Sequence, residues 1–230
     1  MQALSFSRMK KFSEKATLLF NENYGKKTRF RIKKQDALDT LVAVILSQNT
    51  SDRNSFRAFG NLKRRFRNWK ELISADLSEI KKEIRVGGLE SIKAERIRSA
   101  LREIKTRKGN LDLRFLSKME TGEAKEFLTS IKGIGQKSAS VVLAFSFGRG
   151  LIPVDTHVFR VSKRLGLVGR KATPDKAQKE LENMIQEKKR IAFHLNMIRH
   201  GREICKAQVP KCSICFLKKI CPKVGVKKYQ

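Results

Sequence analysis

Acidic residues are scarce in this chain: 22 Asp and Glu stand against 52 Lys and Arg, a formal charge of +30. That imbalance implies a polyanionic partner, with nucleic acid first. An anionic membrane surface is the poorer reading, because the basic residues are spread throughout and do not line one amphipathic tail. Long apolar runs are missing, and none approaches the roughly 20 residues needed to cross a bilayer. The opening MQALSFSRMKKFSEK has no apolar core of a signal peptide. The expected location is intracellular: cytoplasm or nucleoid in a prokaryote. Cysteine is absent before position 205, and all four thiols fall between 205 and 221. In a reducing compartment, thiols clustered this way are metal ligands sooner than disulfides.

Strand signals are nearly absent too, and no repeat or flexible linker interrupts the chain. What is present is helical periodicity. In DALDTLVAVILSQNTSD, Leu38, Leu41, Val42, Ile45 and Leu46 recur at three- and four-residue steps, as a core-facing helix requires. NSFRAFGNLKRRF predicts a second helix with Phe56, Phe59, Leu62 and Phe66 on its inner side. Asp76 and Glu79 have capping-box spacing, Gly87 and Gly88 break the chain, and Ile92, Ala100, Leu101 and Ile104 then suit one buried face, with Ile97 nearby. GEAKEFLTSI leads to a glycine turn, and SASVVLAFSF, apolar nearly all round, reads as a central buried helix. Thr173 and Pro174 have N-cap and N1 character for the helix that follows. With 230 residues and 40% hydrophobic content, the chain has room for one large domain or two small ones, and any two should pack closely with an active cleft between them.

The stretch IKGIGQKSASVVLAFSFGRGLIPVDTHVFRVSKRLG, residues 131–166, carries the chemistry. Between two apolar helices, IKGIGQ is too short for an ordinary loop. Glycines tolerate positive φ and let backbone approach a ligand. Successive amides at the start of the next helix make a socket for phosphate that ignores base sequence. Lys132, Gly133, Ile134 and Gly135 are therefore candidate DNA-binding residues in a helix-hairpin-helix pattern. Lys137 falls in the first turn of the next helix, where the helix terminus and desolvation both disfavour an added positive charge. A neutral amine there can attack C1′ of a damaged nucleotide and form a Schiff base. Asp155 is suited to stabilise positive charge on the sugar, a role compatible with capping a helix.

The segment CKAQVPKCSICFLKKIC sets Cys205, Cys212, Cys215 and Cys221 at C-x6-C-x2-C-x5-C. Four thiolates so close in sequence can surround one metal centre. The spacing matches neither paired zinc knuckles nor the two ferredoxin patterns, so thiol chemistry alone leaves zinc and an iron–sulfur cluster equally open.

Taken together, IKGIGQKSA, VDTH and the four spaced cysteines resemble the endonuclease III branch of helix-hairpin-helix (HhH-GPD) DNA glycosylases. The likeness runs from about residue 36 to 222. It implies an all-α fold of two domains: 36–149, six helices including the hairpin, and a discontinuous partner of 1–35 and 150–230 with the cluster loop at 205–221. It implies Lys137 as the Schiff-base lysine, Asp155 as the catalytic aspartate, and Cys205, Cys212, Cys215 and Cys221 as ligands of a [4Fe-4S] cluster. The implied activity is bifunctional: excision of a base, then strand cleavage by β-elimination, acting as a monomer on double-stranded DNA with a damaged or modified base or an abasic site.

Ala43 stands where the adenine-removing relatives carry glutamate, which argues against adenine. Gln48 and Asn49 occupy the loop that fills the gap after base flipping, and the QN pair and GNLDLRFLS look more like plant 5-methylcytosine glycosylases. Oxidised pyrimidine is the first expectation, with 5-methylcytosine or mismatched thymine second. Two rivals from other classes remain: a non-catalytic phosphate clamp and a redox protein built on the cluster.

Overall fold

In the computed structural model, residues 6–25 and 36–230 are described. Every regular element among them is helical: α1 (Phe6–Tyr24), α2 (Ala37–Ser47), α3 (Asp52–Arg65), α4 (Trp69–Ser74), α5 (Leu77–Ile84), α6 (Glu90–Lys108), α7 (Thr121–Ser130), α8 (Gln136–Phe147), α9 (Thr156–Arg164), α10 (Pro174–Met184) and α11 (Glu187–Glu203), with short 3-10 turns at Arg85–Gly87 and Arg114–Lys118. The chain divides into two compact units, Met1–Arg31 with Gly150–Gln230, and Ile32–Arg149. Of the N-terminal stretch 1–35 expected to join the C-terminal domain, residues 1–5 and 26–35 lie outside the described residues.

In the Ile32–Arg149 unit, α2 packs against α8, α3 and α6. Its helix starts where the Asp36 carboxylate accepts from the amides of Leu38 and Asp39 at 3.0 Å, satisfying donors that a helix start otherwise leaves orphaned. Leu38, Leu41, Val42, Ile45 and Leu46 are all buried. Ser146 Oγ of α8 donates to Thr40 Oγ1 at 2.9 Å, a buried polar clasp between these two helices. α8 buries seven of its residues and ends at Gly148, whose φ of 70° suits glycine.

Two phase assignments need correction. Phe56 is 72% exposed, because α3 buries Ser55, Ala58 and Leu62, a stripe rotated one residue from the phenylalanine series. Ile92 is 47% exposed; α6 instead turns Lys93, Ala94, Ile97, Ala100, Leu101 and Ile104 inward. Asp76 precedes α5 without making a side-chain cap bond, so the expected capping box does not form there. A capping box does form at α7, between Glu120 and Glu123.

In the other unit, α11 packs along α9, and α1 lies on α11 and α10. Gly201 permits the α9–α11 approach, since a β-carbon there would meet His157 Cβ at 2.9 Å. Phe20, Phe193, Met197, Val158, Val161 and Leu181 share one apolar core. Thr173 caps α10 through the Lys176 amide, with Pro174 in the first turn. Beyond α11, the chain to Gln230 consists of turns, bends and irregular pieces.

Candidate DNA-facing site and cysteine pocket

The hairpin joins α7 to α8. The Ile134 amide donates to Ile131 O at 3.0 Å to close the turn, and Ile134 is only 4% exposed, pinning the tip to the core. The two glycines serve different ends. Gly133 has φ of 89°, which favours glycine. Gly135 has ordinary φ of −90° as the N-cap of α8, and a β-carbon there would meet nothing within 4 Å. It leaves the backbone beside the first amides of α8 uncovered by any side chain. Lys132, Gly133, Gly135 and Lys137 are all exposed. Lys137 lies in the first turn of α8, so desolvation of its amine requires a bound partner to cover it.

Asp155 stands at the start of α9, where Oδ1 accepts from the Val158 amide at 2.7 Å. A carboxylate has more acceptor capacity than one N–H uses, so capping leaves it able to face a positive charge. Burial lowers the pKa of neighbouring His157 from its ordinary value, while the Asp155 charge acts in the opposite direction. Lys137 belongs to the Ile32–Arg149 unit and Asp155 to the other.

Gln48 and Asn49 follow α2. Gln48 Oε1 accepts from Arg96 Nη1 at 2.8 Å, and Gln48 Nε2 donates to the Gly133 carbonyl at 3.4 Å. The structure thus brings the Gln48 loop to the hairpin. Three residues here escape a reading from sequence. Lys93 is 1% exposed, with Nζ donating to Leu46 O and Gly87 O at 2.9 Å each. Burial lowers its pKa. Arg96 is the second. Leu89, the third, is 48% exposed and has φ of 54°, a backbone conformation uncommon outside glycine. The Gly87–Gly88 pair marks this turn in the sequence but does not mark the leucine.

Cys205, Cys212, Cys215 and Cys221 line one pocket, with Val161, Arg164 and His200 among its walls, and all four are free thiols. The donor set fits a bound cationic group. Burial pushes the Cys215 thiol up to about 11 and raises Cys212 and Cys221 as well, so thiolates need a positive centre to compensate. N–H donors face two of the sulfurs, and the Arg164 carbonyl lies 3.6 Å from Cys221 Sγ. Arg164 Nη1 donates to Cys205 Sγ at 3.4 Å, and the Lys223 amide to Cys221 Sγ at 3.4 Å. His200 Nε2 lies 3.6 Å from Cys215 Sγ, and its Nδ1 3.1 Å from Tyr24 Oη. Burial holds His200 near 4 and Tyr24 near 12, so at pH 7 the ring is neutral and the phenol keeps its proton. The ring thus links the phenol on one side to the Cys215 sulfur on the other. Among the described residues, no three His, Cys, Asp or Glu side chains close around a single ion.

The sequence pattern of the HhH-GPD superfamily base excision DNA repair proteins matches residues 42–187. Endonuclease III of Thermotoga maritima is 33% identical over 82% of this chain and 84% of the relative. A relative from Arabidopsis thaliana whose name assigns it to the DNA glycosylases is 35% identical over 88% of this chain and 70% of its own length. Among solved structures, a trapped endonuclease III–DNA covalent intermediate superposes with a TM-score of 0.79 at 28% identity, over 96% of this chain and 97% of that one. No described helix is long and apolar enough to cross a membrane. By these likenesses the chain belongs to the HhH-GPD superfamily of base excision DNA repair proteins, in its endonuclease III-like branch, as a damaged-DNA-binding enzyme of the DNA glycosylase/lyase class.

Proposed function

We propose that this enzyme excises oxidised pyrimidines from duplex DNA and nicks the strand through Lys137. The observation that carries the reading is local: a glycine hairpin with bare backbone at Gly135 leads directly into the helix turn that bears Lys137. Basic surfaces gather duplex DNA, and hairpin amides with Lys132 hold phosphates without reading sequence. The modified nucleotide leaves the stack, helped by its weakened pairing. The Lys137 amine then forms a bond to C1′ as the bond to the base breaks, and the base departs with the electron pair and takes up a proton. Asp155 stabilises the positive charge that builds on the sugar. Loss of the ring-oxygen bond gives the Schiff base, and removal of a C2′ proton expels the 3′ phosphate.

Cys205, Cys212, Cys215 and Cys221 would hold a [4Fe-4S] cluster. Their shared pocket and the resemblance of their spacing to that of the endonuclease III branch support this reading. When bound, the cluster supplies a structural crosslink that fixes the cysteine loop; Arg164, His200 and the Lys223 amide orient its ligands. Iron analysis of purified protein should return about four atoms per chain with all four thiols retained.

A second reading, 5-methylcytosine or mismatched thymine, is favoured by the Gln48–Asn49 pair, which resembles that of the plant 5-methylcytosine glycosylases. Borohydride trapping separates the substrates. Duplexes carrying thymine glycol, 5-methylcytosine, a G·T mismatch or an abasic site are compared, with Lys137→Ala beside the parent. An adduct with thymine glycol that the variant loses supports the first reading; an adduct only with 5-methylcytosine or G·T replaces it with the second.

A further inference from the structure

Gln48 and Asn49 are adjacent, yet their surroundings differ. Both ends of the Gln48 amide are engaged, the oxygen by the Arg96 guanidinium at 2.8 Å and the nitrogen by Gly133 O at 3.4 Å. Guanidinium only donates and a carbonyl only accepts, so these partners fix which way the amide points. Arg96 also packs on the hairpin itself: a β-carbon at Gly133 would meet Arg96 Cδ at 3.2 Å and Cγ at 3.3 Å. Asn49, by contrast, is exposed and held at φ of 52°, a region that asparagine tolerates better than most residues. It makes no hydrogen bond to the described residues.

We infer that Gln48 is a positioning residue clasped by Arg96 to the hairpin, and that Asn49 alone of this pair enters the duplex. The clasp ties the turn after α2 to the phosphate-binding turn before α8, so hairpin and inserting residue present a fixed spacing to DNA. Lys93, one turn earlier on α6, braces the same turn from beneath by holding Leu46 O together with Gly87 O. The inference rests on the DNA-repair reading for Asn49, but the clasp itself is a property of the protein without DNA.

The test therefore has two arms, using Gln48→Ala, Arg96→Ala, their double variant and Asn49→Ala; Arg96 is exposed, so its loss leaves the core intact. In the DNA-free protein, amide hydrogen exchange of the hairpin should quicken by about three- to tenfold in Gln48→Ala and Arg96→Ala, the worth of one hydrogen bond to a charged group near the surface. The double variant should go no further, since the pair acts as one unit. Asn49→Ala should leave this exchange unchanged. In the second arm, preference for a tetrahydrofuran abasic-analogue duplex over intact duplex should fall about tenfold or more in Asn49→Ala and by less in Gln48→Ala. Unchanged hairpin exchange in Gln48→Ala, or additive effects of the pair, overturns the clasp. A larger loss of preference in Gln48→Ala than in Asn49→Ala makes Gln48 the inserting residue and overturns the division of roles. If the parent protein shows no preference while the exchange pattern holds, the DNA-repair reading fails and takes Asn49's role with it, and the clasp stands.

Discussion

The hairpin and the cysteine pocket solve opposite problems of binding charge. At the hairpin, the proposed working groups are backbone amides and one exposed lysine, and the side chains nearby hold the turn: Ile134 is its anchor and Arg96 its brace. At the cysteine pocket, the working groups are side chains in a partly buried setting, and their support comes from distant parts of the chain. Tyr24 reaches His200 across 176 positions, and Arg164 reaches Cys205 across 41. The hairpin is open to solvent, yet it too is held from afar, with Gln48 reaching Gly133 across 85 positions. The contrast between them therefore lies in exposure and in whether backbone or side chains face the partner, with the cysteines the more buried.

The largest effect that separates the two regions should come from Lys137→Ala. It should abolish covalent trapping while unfolding temperature and cysteine-pocket integrity stay at parent values, measured by borohydride adduct yield and calorimetry. Conversely, Cys215→Ala should lose the expected iron absorbance and destabilise the cysteine-bearing unit by several kcal/mol, of the order seen when a structural metal ligand is removed. Iron content and thermal unfolding would check it. A Cys215→Ala protein with unchanged stability breaks the comparison from the enclosed side.

Lys93→Ala comes next. It removes a fully buried side chain and leaves two carbonyls unpaired, for an expected loss of about 2–4 kcal/mol in denaturant unfolding. Thr173→Ala should cost about 1 kcal/mol through the lost cap of α10, readable in the same experiment. The smallest effect is expected for Lys132→Ala: duplex affinity should weaken uniformly across sequences, and the slope of log affinity against log salt should shrink by about 1.

How much of this was legible from sequence depends on how local each feature is. Helix α2, its buried stripe and the Thr173–Pro174 start are written in neighbouring residues, so spacing alone predicts them. The glycine hairpin is equally local. Phe56 shows where such reading stops. A helix with aromatic residues at several phases offers more than one stripe, and packing on α5 and the Arg85–Gly87 turn chose the smaller Ser55, Ala58 and Leu62. Asp76 has the right spacing for a capping box, yet its side chain makes no cap bond. Lys93 and Arg96 carry no signal at all: among 52 basic residues, nothing local marks the one that is buried or the one that braces Gln48. The four cysteines announce themselves by spacing, but Tyr24 and His200 do not, because their partnership exists only after α1 has packed on α11.

The central claim is that the amine following the hairpin does the chemistry. The most direct measurement is to trap the enzyme on an abasic-site duplex with borohydride, digest the adduct and locate the modified lysine by mass spectrometry. The account predicts a single modified peptide containing Lys137. An adduct on Lys93, Lys132 or the N-terminal amine, with Lys137 unmodified, would contradict it.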